Sequence, residues 1–371
     1  MKRRTILRGA TLLPFLNNLT QTTIPSHVTR TTSPSHVTRT TSPCHDINND
    51  MMLKKIIKPK RLKLGDTLGM IAPSGPLTDE NFEKSVKSMT DLGFKVKLGK
   101  YVREQKGYLA GTDAQRAEDF HWAFSDKTVD AIWCFRGGYG GMRVLPLIDF
   151  NIVKQNPKIF IGYSDITAYH IPIYQKTGLV TFHGPVGTSD YGDFTKNNAL
   201  NVLMNPTPQY RLESAAENLA NASPLFKMEV IMAGKCQGKL IGGNLSLLSA
   251  MVGTPYGLRD KDVKGKILFM EDIEERPYRV DRMLTQMLQA VDLRTCAGIA
   301  LGVFEGCSPK KEEQSQTVQE VLKDRLGNLG IPVAYGLSFG HIKNQYTLPM
   351  GIEAAFDTEG GVITLLESGV L

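Results

Sequence analysis

The stretch "KIFIGYSDITAYH", residues 158–170, runs from an apolar, strand-like segment through Gly162-Tyr163-Ser164-Asp165 into residues with helical character. A strand that gives way to a helix within a few residues is the unit of an alternating α/β fold, and its turn lies at the carboxyl end of the strand, where such folds place their functional loops. Ser164 has two readings there. A tight turn permitted by Gly162 would expose its hydroxyl and place the Asp165 amide at the helix start, as a nucleophile and its oxyanion donor require. A serine before "DIT" is also a good helix N-cap, and the sequence departs from the G-x-S-x-G elbow because position 166 is Ile. On local pattern alone both readings stay open.

Working outward, Thr67 to Ala72 reads as a strand. "NFEKSVKSMTDLGF" is a helix ending at Leu92-Gly93, "KVKLG" a short strand and "DAQRAEDFHWAFSD" a helix. "VDAIWCF" is a buried strand that opens into "RGGYGG", Arg136 to Gly141. These elements predict a doubly wound, mainly parallel α/β domain over residues 61–205, after a tail at 1–60. Residues 206–235, with Pro206, Pro208 and Pro224, are expected as a linker. A second, smaller α/β domain is expected over 236–371, closing in a hairpin near Gly360-Gly361, with the active site in the cleft between the two.

"RGGYGG" lacks the Gly-Lys-Ser/Thr of a P-loop and the spacing of a dinucleotide fingerprint. It is either a bare turn or a loop that offers backbone amides to an oxyanion. "LIGGNLSLL", Leu240 to Leu248, presents Asn244 either to a pocket as a substrate-binding group or as a helix cap. A base for Ser164 has to come from seven histidines. His27, His36 and His45 lie in the tail, His121 is on an amphipathic helix, and His170 is roughly a turn and a half up the helix after Ser164. His183 in "TFHGPVG" and His341 in "SFGHIKN" both sit beside glycine at strand ends, and the residues alone do not separate them. Glu271, closing the apolar "GKILFME", would orient the imidazole; Asp272, Glu274 and Glu275 compete with it, and a solvated acidic loop is the plain alternative.

The net charge of +7 does not point to nucleic acid. Residues 1–60 hold ten Lys or Arg against Asp46 and Asp50, which leaves the remaining 311 residues at about −1. Five scattered cysteines, Cys44, Cys134, Cys236, Cys296 and Cys307, fit neither a disulfide framework nor the usual zinc spacing. No apolar run is long enough for a transmembrane helix. The start "MKRRTILRGATLLPFL" resembles a twin-arginine export signal at Arg3-Arg4, although its apolar run is short and holds Pro14. The nonapeptide "SHVTRTTSP" then occurs twice, at 26–34 and 35–43, as a polar tether.

Eight pieces in order, "IAPSGP", "GYLAGTDAQRAEDF", "AIWCFRGGYGGMRVLP", "KIFIGYSDITA", "TFHGP", "LIGGNLSLL", "LFMEDIEERPYRVDRML" and "SFGH" with "LPMG", resemble the LD-carboxypeptidase family of serine peptidases. They span Lys63 to about Gly351. The resemblance implies a triad of Ser164, Glu271 and His341, and it selects His341 over His183. It implies an oxyanion hole from the backbone amides of Gly138 and Asp165. It implies no metal or cofactor, a homodimer, and a two-domain fold with Ser164 on the first domain and Glu271 and His341 on the second. The expected reaction is release of terminal D-alanine from peptidoglycan tetrapeptides in cell-wall recycling. That role belongs to the cytoplasm by family habit, or to the periplasm if Arg3-Arg4 directs export. Two alternatives remain: hydrolysis of microcin-type peptidyl-nucleotides by the same triad, or a ligand-binding relative without activity.

Overall fold

The computed structural model describes residues 55–371. Arg3-Arg4, the duplicated nonapeptide, Cys44 and His45 lie outside the described residues.

Short strands, apolar except for the exposed edge strand β2, form the first sheet: β1 (Thr67–Ile71), β2 (Lys95–Leu98), β3 (Ala131–Cys134), β4 (Ile159–Gly162) and β5 (Phe182–His183). They lie in the order β2-β1-β3-β4-β5 and all pair in parallel. Strands β3 and β4 are buried along their whole length, as parallel strands covered by helices on both faces must be. The helix Asp79–Asp91 is started by Thr78, whose hydroxyl accepts the Asn81 amide, and buries Phe82 and Met89. The helix Asp113–Ser125 begins with a capping box of Thr112 and Gln115 and buries Ala117, Phe120, Ala123 and Phe124. The expected doubly wound sheet is therefore present. Its order reverses between β1 and β3, so the loops after those two strands diverge and leave a crevice at their carboxyl ends.

The second sheet holds β6 (Tyr210–Leu212), β7 (Glu229–Met232), β8 (Lys235–Asn244), β9 (Ile267–Ile273), β10 (Gly298–Glu305), β11 (Val333–Leu337), β13 (Glu353–Asp357) and β14 (Val362–Leu365). Its order is β6-β14-β13-β8-β9-β10-β11-β7. Strands β8 to β11 run parallel, while β13, β14, β6 and β7 join antiparallel. The stretch expected as a linker thus supplies both edge strands, β6 and β7. One further strand, β12 (Leu348–Pro349), pairs with β5 and carries the chain back to the first sheet. The C-terminus follows it: the Leu371 amide donates to Pro59 O at 2.9 Å and Lys58 meets Glu367 at 2.7 Å. No helix among the described residues is long and apolar enough to cross a membrane.

Helix Thr167–Thr177, which follows β4, is buried on nearly every side because it packs on the first sheet and also against β8 and the helix Leu245–Ala250. Its Thr167 hydroxyl accepts the Asn244 amide at 2.9 Å and so joins the two sheets.

A fully buried arginine braces the crevice. Arg116 Nη1 donates to Pro73 O at 3.0 Å and to Gly140 O at 2.9 Å, while its Nη2 is paired with Asp113. The carbonyls belong to the loops after β1 and β3, so one guanidinium fixes the spacing of both. Arg116→Met should cost roughly 3–5 kcal/mol, because two interior carbonyls and Asp113 lose a charged donor together. Urea unfolding of the two proteins measures this; a loss below about 1 kcal/mol contradicts the bracing role.

Candidate active site

The end of β4 is held from within the fold. His170 Nε2 lies 2.8 Å from Gly162 O and Nδ1 lies 2.9 Å from the Thr181 hydroxyl. A carbonyl can only accept, so Nε2 carries the proton and Nδ1 accepts from Thr181. Burial pushes the His170 pKa down to about 3, which keeps the ring neutral. Two residues beyond Gly162, Ser164 has φ +65°, a left-handed conformation that is rare for a residue with a side chain and clusters at functional sites. Tyr163, not Ser164, is the cap of the short 3₁₀ turn Ser164–Ile166, and no side-chain cap bond is made there. Ser164 is therefore an elbow residue rather than a helix cap.

The loop after β3 lies against this elbow. A Cβ added to Gly137 would stand 2.8 Å from Ser164 Cβ and 3.0 Å from the Asp165 nitrogen, so only glycine permits the approach. Asp165 is buried, and its Oδ2 accepts the Gly141 amide at 2.7 Å. Burial raises its pKa against the opposing hydrogen bonds. The carboxylate thus fastens the glycine loop to the elbow. Among the described residues no acceptor takes the amide hydrogens of Gly138 or Asp165.

The second sheet brings an acid and a base to the same place. Glu271 lies near the end of β9 and is fully buried; His341 follows β11. His341 Nδ1 is 2.7 Å from Glu271 Oε2. Gly340, at φ +109°, allows it: a Cβ there would meet Glu271 Oε2 at 2.9 Å. Burial alone would push Glu271 up and His341 down. The charge and hydrogen bond of each partner outweigh that, so Glu271 is lowered and His341 is raised above 6.5. The Tyr163 ring packs edge-on against the imidazole with centroids 4.8 Å apart.

Ser164, His341, Gly137, Gly138, Arg136 and Ile273 line one cleft of about 480 Å³, together with Asn81, Tyr163, Val186 and Thr188. The other sequence candidates are placed elsewhere. His183 is buried between the sheets with its ring 5.4 Å from Phe269; burial lowers its pKa to about 4. His121 Nε2 accepts the Asp149 amide at 2.9 Å and does not line the cleft. Asp272 accepts from Asn244 Nδ2, Ser246 and the Ile273 amide, and burial raises its pKa to about 6. Glu275 pairs with Arg279 at 3.4 Å, and Glu274 turns the chain at φ +55°. Asn244 is buried and committed to the protein: its amide meets Thr167, its Nδ2 meets Asp272 and its Oδ1 caps Leu247 at 3.3 Å. Cys134, Cys296 and Cys307 are buried free thiols, Cys236 is half-buried, and burial raises all four. No cluster of metal-ligating side chains occurs among the described residues.

Arg116 and Arg136 carried no role in the sequence reading. The signal for Arg116 was an arginine flanked by Ala117 and Phe120 on a helix face that otherwise reads as apolar. For Arg136 it was a charge at the mouth of a glycine loop.

Residues 68–184 match the model of the LD-carboxypeptidase N-terminal domain and residues 237–356 that of the LD-carboxypeptidase C-terminal domain. The chain is 40% identical over 318 residues to a Bacillus subtilis protein named "Probable murein peptide carboxypeptidase", covering 84% of this chain and 95% of that one. It superposes on the crystal structure of muramoyltetrapeptide carboxypeptidase from Oxalobacter formigenes with a TM-score of 0.69 and 30% identity, over 81% of this chain and 97% of that one. It is also 28% identical to the microcin C7 self-immunity protein MccF of Escherichia coli, over 82% and 94% of the two chains.

The buried pair makes one physical prediction independent of any substrate. NMR titration of His341 should give a pKa above 6.5, and Glu271→Gln should lower it, because burial is then opposed only by the smaller contributions of Asp272 and Glu274. An unchanged midpoint in the variant contradicts the ion pair.

Proposed function

The chain belongs to the LD-carboxypeptidase family, and from that membership we propose that it hydrolyses the amide between the L-centre of a diamino acid and the terminal D-alanine of peptidoglycan tetrapeptides, with Ser164 as nucleophile. The observation that carries this reading is the cleft lined by both Ser164, in a strained elbow, and His341, whose Nδ1 is held 2.7 Å from the buried Glu271 behind it.

In the first half-reaction His341 takes the proton of the Ser164 hydroxyl as Oγ bonds to the scissile carbonyl carbon. The carbonyl oxygen becomes an oxyanion held by the amides of Gly138 and Asp165. Glu271 holds the imidazole by Nδ1 and stabilises the imidazolium. Collapse of the intermediate breaks the carbon–nitrogen bond, and His341 returns its proton to the leaving amine of D-alanine. Water then repeats the sequence on the acyl-enzyme: His341 accepts its proton, the hydroxide oxygen bonds to the acyl carbon, and Ser164 recovers its proton as the ester opens. Release of the shortened peptide completes the cycle, which places the enzyme in the turnover of cell-wall peptides.

Hydrolysis of a peptidyl-nucleotide would call for a flat aromatic face to receive the base. Among the residues that line the cleft, Tyr163 is the one Phe, Tyr or Trp, and its ring is packed against His341. The murein peptide reading is therefore preferred.

Ser164→Ala should lower D-alanine release from a murein tetrapeptide by at least about 10⁴-fold while leaving the unfolding midpoint within a degree or two. Chromatography of the peptide products checks it; retained turnover removes Ser164 from the role. The wild-type kcat/KM should rise with pH through a midpoint above 6.5, since the reaction needs neutral His341 and its pKa is raised. A rate profile whose acid limb has its midpoint below 6.5 would contradict His341 as the base.

A further inference from the structure

An enzyme that removes only the last residue of a peptide has to recognise a free carboxylate, and burying that group in a cleft without a cation is costly. The terminal carboxylate of the D-alanine lies three bonds beyond the scissile carbonyl carbon, so its partner must stand close to the oxyanion donors. Among the side chains lining the cleft, His341 is committed to Glu271 and Arg136 is the one permanent cation.

Arg136 is built for this position. It opens the same loop that carries Gly138, directly after the buried Phe135. Its Nη1 donates to Pro76 O at 3.1 Å, in the loop after β1, which fixes the direction of the side chain. The guanidinium lies along two glycines: a Cβ added at Gly138 would stand 3.5 Å from its Nη2, and one at Gly75 would stand 3.7 Å from its Nε. Gly75 and Gly137 are themselves joined, the Gly75 amide donating to Gly137 O at 3.1 Å. No carboxylate among the described residues is within ion-pair distance of Arg136, and the cleft lining contains none. Neighbouring arginines differ: Arg116 and Arg143 both share Asp113, and Arg103 is divided between Asp79 and Glu83.

We infer that Arg136 binds the terminal α-carboxylate of the substrate and makes the enzyme an exopeptidase. This rests on the carboxypeptidase reading above and adds the determinant of where the peptide must end. The guanidinium presents its remaining N–H donors to the carboxylate while Pro76 O and the two glycines hold its plane. The scissile carbonyl is thereby set over Gly138 and Ser164, and a peptide with further residues after D-alanine places a neutral amide where the charge is needed.

The test offers two substrates to each enzyme: a murein tetrapeptide with a free terminal D-alanine, and the same peptide ending in D-alaninamide. Wild type should prefer the acid. Arg136→Gln should lose roughly 10- to 100-fold in kcat/KM on the acid, chiefly through KM, with little change on the amide, so that the preference collapses. Arg136→Lys, which keeps the charge but not the fork and disturbs the loop less, should fall between the two. Equal losses on both substrates would make Arg136 a loop brace and overturn the inference, as would an unaltered preference in both variants. A wild-type enzyme that cleaves acid and amide equally well also overturns it while leaving the reaction in place. Release of neither leaving group refutes the reaction itself, and the inference falls with it.

Discussion

A carboxylate with no exposure to water keeps its charge only where a partner offsets the lost hydration, and for Glu271 that partner is His341. That requirement organises the second sheet around the cleft. Strand β9 delivers Glu271 near its carboxyl end, and the loop after β11 turns at Gly340 because any larger residue would collide with the same carboxylate. Both pKa values move in the direction that strengthens the pair: Glu271 holds its charge more firmly and His341 gains a proton more readily. The Nδ1 face of the imidazole is closed by Glu271, so its second nitrogen is the one left for chemistry in the cleft.

The two sheets divide the work. The first supplies Ser164 and the glycine loop at the crevice where its strand order reverses; the second supplies the charged pair. Their alignment depends on contacts away from the chemistry. The Thr167 hydroxyl, on the helix that starts just after Ser164, accepts the Asn244 amide, and Asn244 in turn reaches Asp272, the neighbour of Glu271. A short chain of hydrogen bonds therefore runs from the elbow helix to the strand that carries the acid. This explains why Asn244 and Asp272, both candidates for direct chemistry on pattern alone, are turned into the protein: they register one sheet against the other.

Much of the fold was legible because its strands are short apolar runs closed by glycine, a signal that survives in a single sequence. The limits are equally physical. A nucleophile elbow and an N-cap are written with the same letters at Ser164 and differ in the sign of φ. His183 and His341 both follow a strand beside glycine, and what separates them is proximity to Glu271, a tertiary contact with no local trace. The 206–235 stretch looked like a linker because β6 and β7 are short edge strands, partly open to water, and their pairing with β14 and β11 spans long separations in the chain. Arg116 was hidden for a different reason. A charged residue on an amphipathic helix is ordinarily solvated, and it is the convergence of Pro73 O, Gly140 O and the Asp113 carboxylate that makes burial of this one favourable.

Arg116 and Arg136 both touch one glycine loop, Arg116 at Gly140 and Arg136 beside Gly138, and on the reading proposed above the first supports the loop while the second recognises the substrate. Arg116 faces inward, paired with Asp113 and with Nη1 committed to two loop carbonyls, so its donors are taken up within the protein. Arg136 is anchored by a single neutral carbonyl, which orients the guanidinium without neutralising it. A cation oriented in advance loses little freedom when a carboxylate arrives, and a cleft without acidic side chains leaves the full charge available to that carboxylate. On that reading, the buried arginine steadies the loop along which the half-buried one lies beside Gly138.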